Sequence, residues 1–254
     1  MNNKYNLDNM VFGPIYIFFK FGPKDRLEQL QKHGYIYMKR LKYFVDLEKK
    51  TLQKGKGDKF EARLFEAKSI QLINPITNDI VFQAGKTTVS DTNALKKPVF
   101  CISSLNMFDK ITKFEYPNFE SKMIFDDKMI LDFSDDDDSY VLVILQVEEF
   151  LNRVRNEIES MDLRYEYNMV KYRDTGCVYR EKESIEANTA FHKDTYFEYQ
   201  NEFRLLIDKE VDDFFELRIG SIEDISKILP AKSVISGFTI NGMVGTPVPL
   251  DNKI

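Results

Sequence analysis

The stretch Tyr196 to Asp208 reads Tyr-Phe-Glu-Tyr-Gln-Asn-Glu-Phe-Arg-Leu-Leu-Ile-Asp. It runs from a polar, aromatic-studded segment into an apolar strand. Glu198, Gln200, Glu202 and Arg204 stand two residues apart. Side chains in a strand alternate faces, so the spacing projects all four to one side, with Phe203, Leu205 and Ile207 turned into a core. Two carboxylates, an amide and a guanidinium on one face, at the mouth of a buried strand, are groups that can orient a polar ligand and stabilise charge. The same pattern also fits a solvated edge-strand face on which Glu202 and Arg204 pair.

Other residues could join such a site. Lys20 is the only charge in the apolar run Ile15 to Phe21. A lysine there meets a carboxylate or bound anion, or else snorkels to water from the strand end. Ser103 and Ser104 end the apolar run Val99-Phe100-Cys101-Ile102, where two hydroxyls can orient a carboxylate or a ribose, or cap a turn. His192 lies in a polar segment near Glu202, where it could serve acid–base chemistry, but a loop histidine of this kind is more often solvated. Asp58 and Glu61 follow the loop Lys54-Gly55-Lys56-Gly57, and Glu66-Ala67-Lys68 has the Glu-x-Lys form of metal-dependent nucleases. If residues 58–66 are extended, however, Asp58 and Glu66 stand ~26 Å apart, too far to share a metal. The glycine loop lacks the Gly-x-x-x-x-Gly-Lys-Ser/Thr spacing of a phosphate-binding loop. No Gly-x-Ser-x-Gly elbow occurs. Cys101, Cys177, His33 and His192 form no zinc-like cluster, so no metal is expected.

The elements that must position these residues alternate between strands and helices. Ile15–Phe21 reads as a central strand. A helix follows Gly22-Pro23, with Leu27 and Leu30 inward and Gly34 as its stop. Tyr35–Met38 is a short strand and Leu41–Lys50 a helix. Phe60–Ile73 reads as one long strand, returned by Ile80–Gln83 through the Asn74-Pro75 and Asn78-Asp79 turns. Pro98–Leu105 and Tyr140–Val147 are buried strands. Glu148–Met161 is an amphipathic helix with Phe150, Leu151, Val154 and Ile158 inward. Leu163–Tyr172, Glu202–Asp208 and Phe214–Ile219 are strands, Ser221–Leu229 is a capped helix, and Ser233–Thr239 is a closing strand. Residues 126–139 form an acidic surface loop and residues 173–194 a polar loop. The expected fold is α+β: a single compact domain with a mixed, mainly antiparallel sheet flanked by helices.

The chain has 254 residues, enough for a substantial core. Net charge is −5 and no basic stripe runs through the sequence, so tight nonspecific nucleic-acid binding is not expected, although a local basic patch could still take a nucleic-acid substrate. No apolar run approaches the ~20 residues needed to cross a bilayer, and the N-terminus has no signal-peptide core. The low cysteine count fits a reducing cytosol. These features predict a cytoplasmic protein with no membrane association. Abundant Lys, Asn and Ile are those of an AT-rich genome.

Lys20 on a first strand, Ser103-Ser104 ending a second, and Gln200-Asn201-Glu202 entering a late strand together resemble the ADP-ribosyltransferase fold. That family carries Arg or His at the first position, a Ser-Thr-Ser element at the second and Gln/Glu-x-Glu at the third. The segments around Lys20, Gly57–Glu61 and Glu202-Phe203-Arg204 are also similar to uncharacterised bacterial proteins with a Tyr/Phe-Lys-Phe/Tyr strand and a late Glu-x-Arg. The resemblance implies NAD as substrate and Glu202 as the catalytic glutamate, supporting the oxocarbenium-like transition state. It implies acceptor recognition by Gln200, orientation of Glu202 by Ser103, NAD contacts from Lys20, Ser103 and Ser104, and an aromatic contact from Tyr196 or Tyr199; Arg204 has no standard role in that family and is read as neutralising Glu198 or binding a phosphate of NAD. A protein or nucleic-acid acceptor would then receive ADP-ribose, in a bacterial or phage toxin or defence component; hydrolysis of NAD alone is a variant. The alternative is a non-enzymatic interaction or nucleotide-sensing protein with a protein partner; a metal-dependent nuclease ranks behind both. The first two readings differ in one observable: an enzyme needs Glu202 in an open cleft, whereas a binding protein tolerates Glu202 locked to Arg204.

Overall fold

The computed structural model describes residues 16–51, 55, 57–133, 139–173, 189–235 and 237–243. They form an α+β fold with mainly antiparallel pairing, as the alternation of elements predicts. They group into two compact units, each drawn from separate parts of the chain. One takes the described residues up to Lys32, those from Ser104 to Phe150, and those from Ile222 onward. The other takes His33 to Ser103 and Leu151 to Ser221.

In the first unit, the strand Tyr16–Pro23 pairs antiparallel with Ser139–Ile144, which pairs antiparallel with Ser226–Pro230. Ile17, Phe18 and Phe19 are buried because both faces of the first strand are covered. Phe18 meets Phe150, and Phe19 packs against Phe125 and Phe238. The helix Lys24–His33 buries Leu27 and Leu30, the inner face expected from their spacing. A second sheet joins Ile111–Glu115, Asn118–Met123 and Phe238–Met243.

Three sequence expectations are corrected here. Residues 223–225 make a turn and Ser226–Pro230 a strand, where a capped helix is expected. The backbone of 226–230 finds its partners on Ser139–Ile144, while the Ser226 hydroxyl donates back to the Ile222 carbonyl, 2.6 Å away. The expected closing strand at 233–239 is instead a short helix, Ala231–Ile235, and a later strand, Phe238–Met243. Gly237 separates them at φ +85°, a conformation that favours glycine. Asp127–Phe133, read as part of an acidic loop, is a helix; the Ser134–Asp138 run lies outside the described residues.

The second unit is built on five antiparallel strands. Their order is Tyr165–Met169, Glu202–Ile207, Pro98–Asn106 (to Ser103 in this unit), Tyr35–Arg40 and Phe214–Arg218. The helix Leu41–Thr51 buries Leu41 and Val45, and Val154 and Ile158 of the helix Val147–Ser160 are buried. Gly34 adopts φ +60°, and a Cβ there would strike the Gly220 backbone. The expected long strand Phe60–Ile73 is broken in two. The Asp58 carboxylate accepts from the Phe60 N–H at 2.8 Å, and Glu61 N–H donates to the Asp58 carbonyl, so residues 58–62 turn. Arg63–Ala67 then pairs with Thr87–Ser90, and Ile70–Ile73 with Ile80–Ala84, as separate two-stranded ribbons.

Candidate functional site

The site assembles within the second unit. Residues Thr195–Gln200 form a 3-10 turn, opened by the Asp194 carboxylate accepting from Tyr196 N–H at 2.9 Å. Asn201 closes the turn at φ +43°, and the strand begins at Glu202. The two-residue alternation therefore does not extend back through the turn: Glu198 is exposed and leaves the file, whereas Gln200, Glu202 and Arg204 are buried. Nor is this a solvated edge. The strand lies between Tyr165–Met169 and Pro98–Asn106, and Arg204 is only 1% exposed.

Buried charge must be paired and hydrogen-bonded to be tolerated, and here it is. Arg204 Nε donates to Glu202 Oε1 at 2.5 Å. Its two terminal nitrogens reach the two Glu61 oxygens at 2.9 and 2.5 Å, a bidentate fork. Arg204 also donates to the Ala190 carbonyl. Lys193 Nζ donates to Glu202 Oε2 at 2.9 Å and to Gln200 Oε1 at 2.8 Å, and lies 4.6 Å from the centre of the Phe197 ring. The Gln200 amide donates to the Gly55 carbonyl at 2.8 Å. The Tyr172 hydroxyl accepts from Glu202 N–H at 2.8 Å. The charges of Glu61, Glu202, Arg204 and Lys193 thus sum to zero.

Electrostatics follow from that balance. Burial alone would push the Glu202 carboxyl up; Arg204 and Lys193 overcome this and hold it well below the usual carboxylate range. Burial would likewise lower Arg204 and Lys193, but the charges of Glu202 and Glu61 raise both. Burial, then the charge of Glu202, pushes the Tyr172 phenol up. Asp58, beside this network, is pushed up to about 7, first by burial and then by the Glu61 carboxylate. Its Oδ2 has no hydrogen-bond partner among the described residues.

The structure brings together Glu202, Gln200 and Arg204, and sets Ser103 directly opposite Glu202 on the neighbouring strand. Tyr196 is on the turn, 38% exposed, with its ring 5.1 Å from that of Phe197. Lys20 and Ser104 belong to the first unit. Lys20 is half-buried opposite Leu142; Ser104 is buried. His192, expected to be solvated, is buried in a short strand, His192–Asp194, paired in parallel with Lys171–Arg173. Lys193, Glu61 and Tyr172 also belong to the network, and sequence reasoning assigned them no part in it. Glu61 stood out only beside a glycine loop. Lys193 carried no signal, because strand pairing buries a segment that reads as polar. Among the described residues, no group of three His, Cys, Asp or Glu is placed to hold a metal. No helix there is long and apolar enough to cross a membrane.

A second feature of this unit is the ribbon formed by Ile70–Ile73 and Ile80–Ala84. Its turn is well built: Asn74 Oδ1 accepts from Ile76 N–H at 2.8 Å, and Asn74 N–H donates to the Asp79 carbonyl. Leu72 stands opposite Phe82, and Ile70 opposite Ala84, giving one wholly apolar face. Yet Leu72, Ile76, Ile80, Val81 and Phe82 are 54 to 92% exposed. From Ser69 to Gly85, Asp79 is the only charge. Among the described residues neither outer edge has a strand partner. Natural edge strands are normally guarded by charge, proline or cover; within Ile70–Ile73 and Ile80–Ala84 there is neither charge nor proline.

The fold and site thus define an α+β protein with a closed buried ion-pair network and an exposed apolar arm. Compared with family models, curated proteins and solved structures, the chain finds no match.

Proposed function

We propose that this chain is a non-enzymatic interaction protein and that residues 70–84 are its docking arm. The observation that carries the reading is the exposed apolar ribbon, whose outer edges have no strand partner among the described residues. Contiguous apolar surface of this kind marks an interaction site, and an open strand edge offers main-chain pairing to a partner. Glu202 fits the same reading: each of its carboxylate oxygens already holds a cation, and its role is to bind the interior together. The test places a photo-crosslinking amino acid at Val81 of the full chain in cells, with the exposed Glu159 as control position. Adducts from Val81 and not from Glu159 are expected. Their absence would overturn the reading.

A second reading keeps the ADP-ribosyltransferase-like chemistry, and one observation favours it: Glu202 stands opposite Ser103 with Gln200 beside it. In this reading Lys193 swings away, and Glu202 supports the cationic sugar as nicotinamide leaves NAD. Wild type should then release nicotinamide from NAD, and Glu202→Gln should not. Release that depends on cell lysate would mark a macromolecular acceptor. No release from folded wild type, with or without lysate, removes this reading.

A further inference from the structure

We infer that Asp58 is a proton-operated latch: loss of its proton releases the turn of residues 57–61 from the buried charges while the surrounding strands stay folded. The inference is independent of the docking arm. The turn is fastened on two sides. Asp58 N–H donates to the Phe44 carbonyl at 3.2 Å, and Lys59 N–H donates to the Glu48 carboxylate at 2.8 Å, both on the helix Leu41–Thr51. A Cβ at Gly57 would strike the backbone of Phe44 and Glu48, so the approach is close. On the other side the Glu61 fork holds Arg204. Between the two fastenings Asp58 is 1% exposed. Its Oδ1 accepts from Phe60 N–H at 2.8 Å, and its Oδ2 has no hydrogen-bond partner among the described residues.

A buried carboxyl with one bare oxygen is tolerated more readily neutral than charged. Glu61, Glu202, Arg204 and Lys193 already balance, so an ionised Asp58 adds an uncompensated negative charge. The surrounding groups pull both ways. Glu61, in the same turn, opposes the anion, whereas Lys193 and Arg204 favour it. Glu48, on the helix that the turn packs against, is a further buried carboxylate, 3.6 Å from the Lys59 ammonium. Burial and Glu61 outweigh the two cations and push the Asp58 carboxyl up to about 7. Once the turn is released, Asp58 meets water and gives up its proton far more readily. Each pH unit up to ~7 therefore multiplies the released population by up to about ten. Release also parts Glu61 from Arg204, the step that opens the network around Glu202.

Native-state hydrogen exchange of the full chain, read by NMR from pH 5 to 8 and corrected for intrinsic rates, tests the latch. The amides of Asp58, Lys59, Phe60 and Glu61 each have an acceptor, so their exchange reports release. In wild type their opening should grow on the order of 50-fold across that range. It should exceed the opening of the Glu202–Ile207 strand amides at every pH and stay unchanged in low urea, as a local event does. Asp58→Asn keeps the shape of the neutral carboxyl and should hold the turn at its pH 5 level throughout. Turn amides that exchange only with the strand amides, or that show no pH dependence in wild type, would overturn the inference without recourse to a variant. A pH dependence that survives in Asp58→Asn would assign the proton to another group, such as the buried His192, and would overturn it equally.

Discussion

Replacing Arg204 by Met tests whether the interior of the second unit is held by paired charge. Methionine fills most of the arginine stem, so the loss is electrostatic and not a cavity. Wild type balances Glu61 and Glu202 against Arg204 and Lys193. Without Arg204, two carboxylates share Lys193, whose nitrogen is 2.9 Å from Glu202 but 4.0 Å from Glu61. Glu61 loses both arms of its fork at a side chain that is 1% exposed, so bulk solvent cannot replace them. Removing one partner from such a pair costs about 3–5 kcal/mol. Urea unfolding at pH 7.5, followed by far-UV circular dichroism and tyrosine fluorescence in this tryptophan-free chain, should show that loss. The double variant Arg204→Met, Glu61→Gln returns the network to one carboxylate and one ammonium, so it should recover at least ~1 kcal/mol of the loss. A single variant within ~1 kcal/mol of wild type, or strictly additive effects in the pair, would refute the claim that these charges are mutually compensating and buried.

Asp58 gives a pH signature of opposite sign to the usual carboxylate. Its pKa rises on folding from 3.8 to about 7, so the folded state binds the proton more tightly. The Asp58 contribution to stability is therefore fully present below ~4 and is lost as pH rises toward 7, by up to roughly 4 kcal/mol at ~1.4 kcal/mol per unit. Asp58→Asn should flatten that decline in urea midpoints measured from pH 4 to 8; an unchanged slope sinks the assignment. Glu202 works the other way: its pKa is depressed, so its contribution is present above the ordinary carboxylate range and lost as pH falls through the folded value. Glu202→Gln should blunt the acid-induced loss, read as the acid unfolding midpoint. Gly34→Ala should abolish or severely reduce folding, because the Cβ meets the Gly220 backbone at positive φ, whereas Gly220→Ala, with open space around it, should cost only ~1 kcal/mol of left-handed strain. Equal losses at the two glycines in thermal melts would contradict the close approach.

Apolar periodicity located the core strands and helices because burial on one or two faces leaves a direct mark on residue order. Leu27 and Leu30, the Glu202–Ile207 strand, and the Phe150–Val154–Ile158 stripe were legible for that reason. What misled was turn chemistry decided by single side chains. The Asp58 carboxylate folds a segment whose alternation reads as a continuing strand, and the backbone of Ser226–Pro230 prefers sheet partners over its own helix. The site was half legible for a related reason. Gln200, Glu202 and Arg204 share a short stretch of sequence, so their convergence shows in spacing. Glu61 comes from 143 residues away from Arg204, and nothing local announces that pairing. Lys193 is polar in a polar segment, and only the tertiary fold makes it a buried cation.

Why the interior should hold ions at all follows from which segments they join. Residues 55–63 and 189–200 carry little periodic apolar sequence, and hydrophobic burial alone would leave their placement against the Glu202–Ile207 strand loosely specified. A bidentate Arg204–Glu61 fork and a Lys193–Gln200–Gly55 relay have narrow geometric tolerance, so each admits few arrangements of those loops. The cost of dehydrating four charges is then exchanged for a unique arrangement more than for net stability. Such an arrangement disfavours a substrate carboxylate or phosphate at Glu202, since the guest would have to displace a cation already matched in charge and distance. Among the described residues it leaves the outer ribbon, whose turn is complete and whose outer edges have no strand partner, as the surface on which the interaction reading rests.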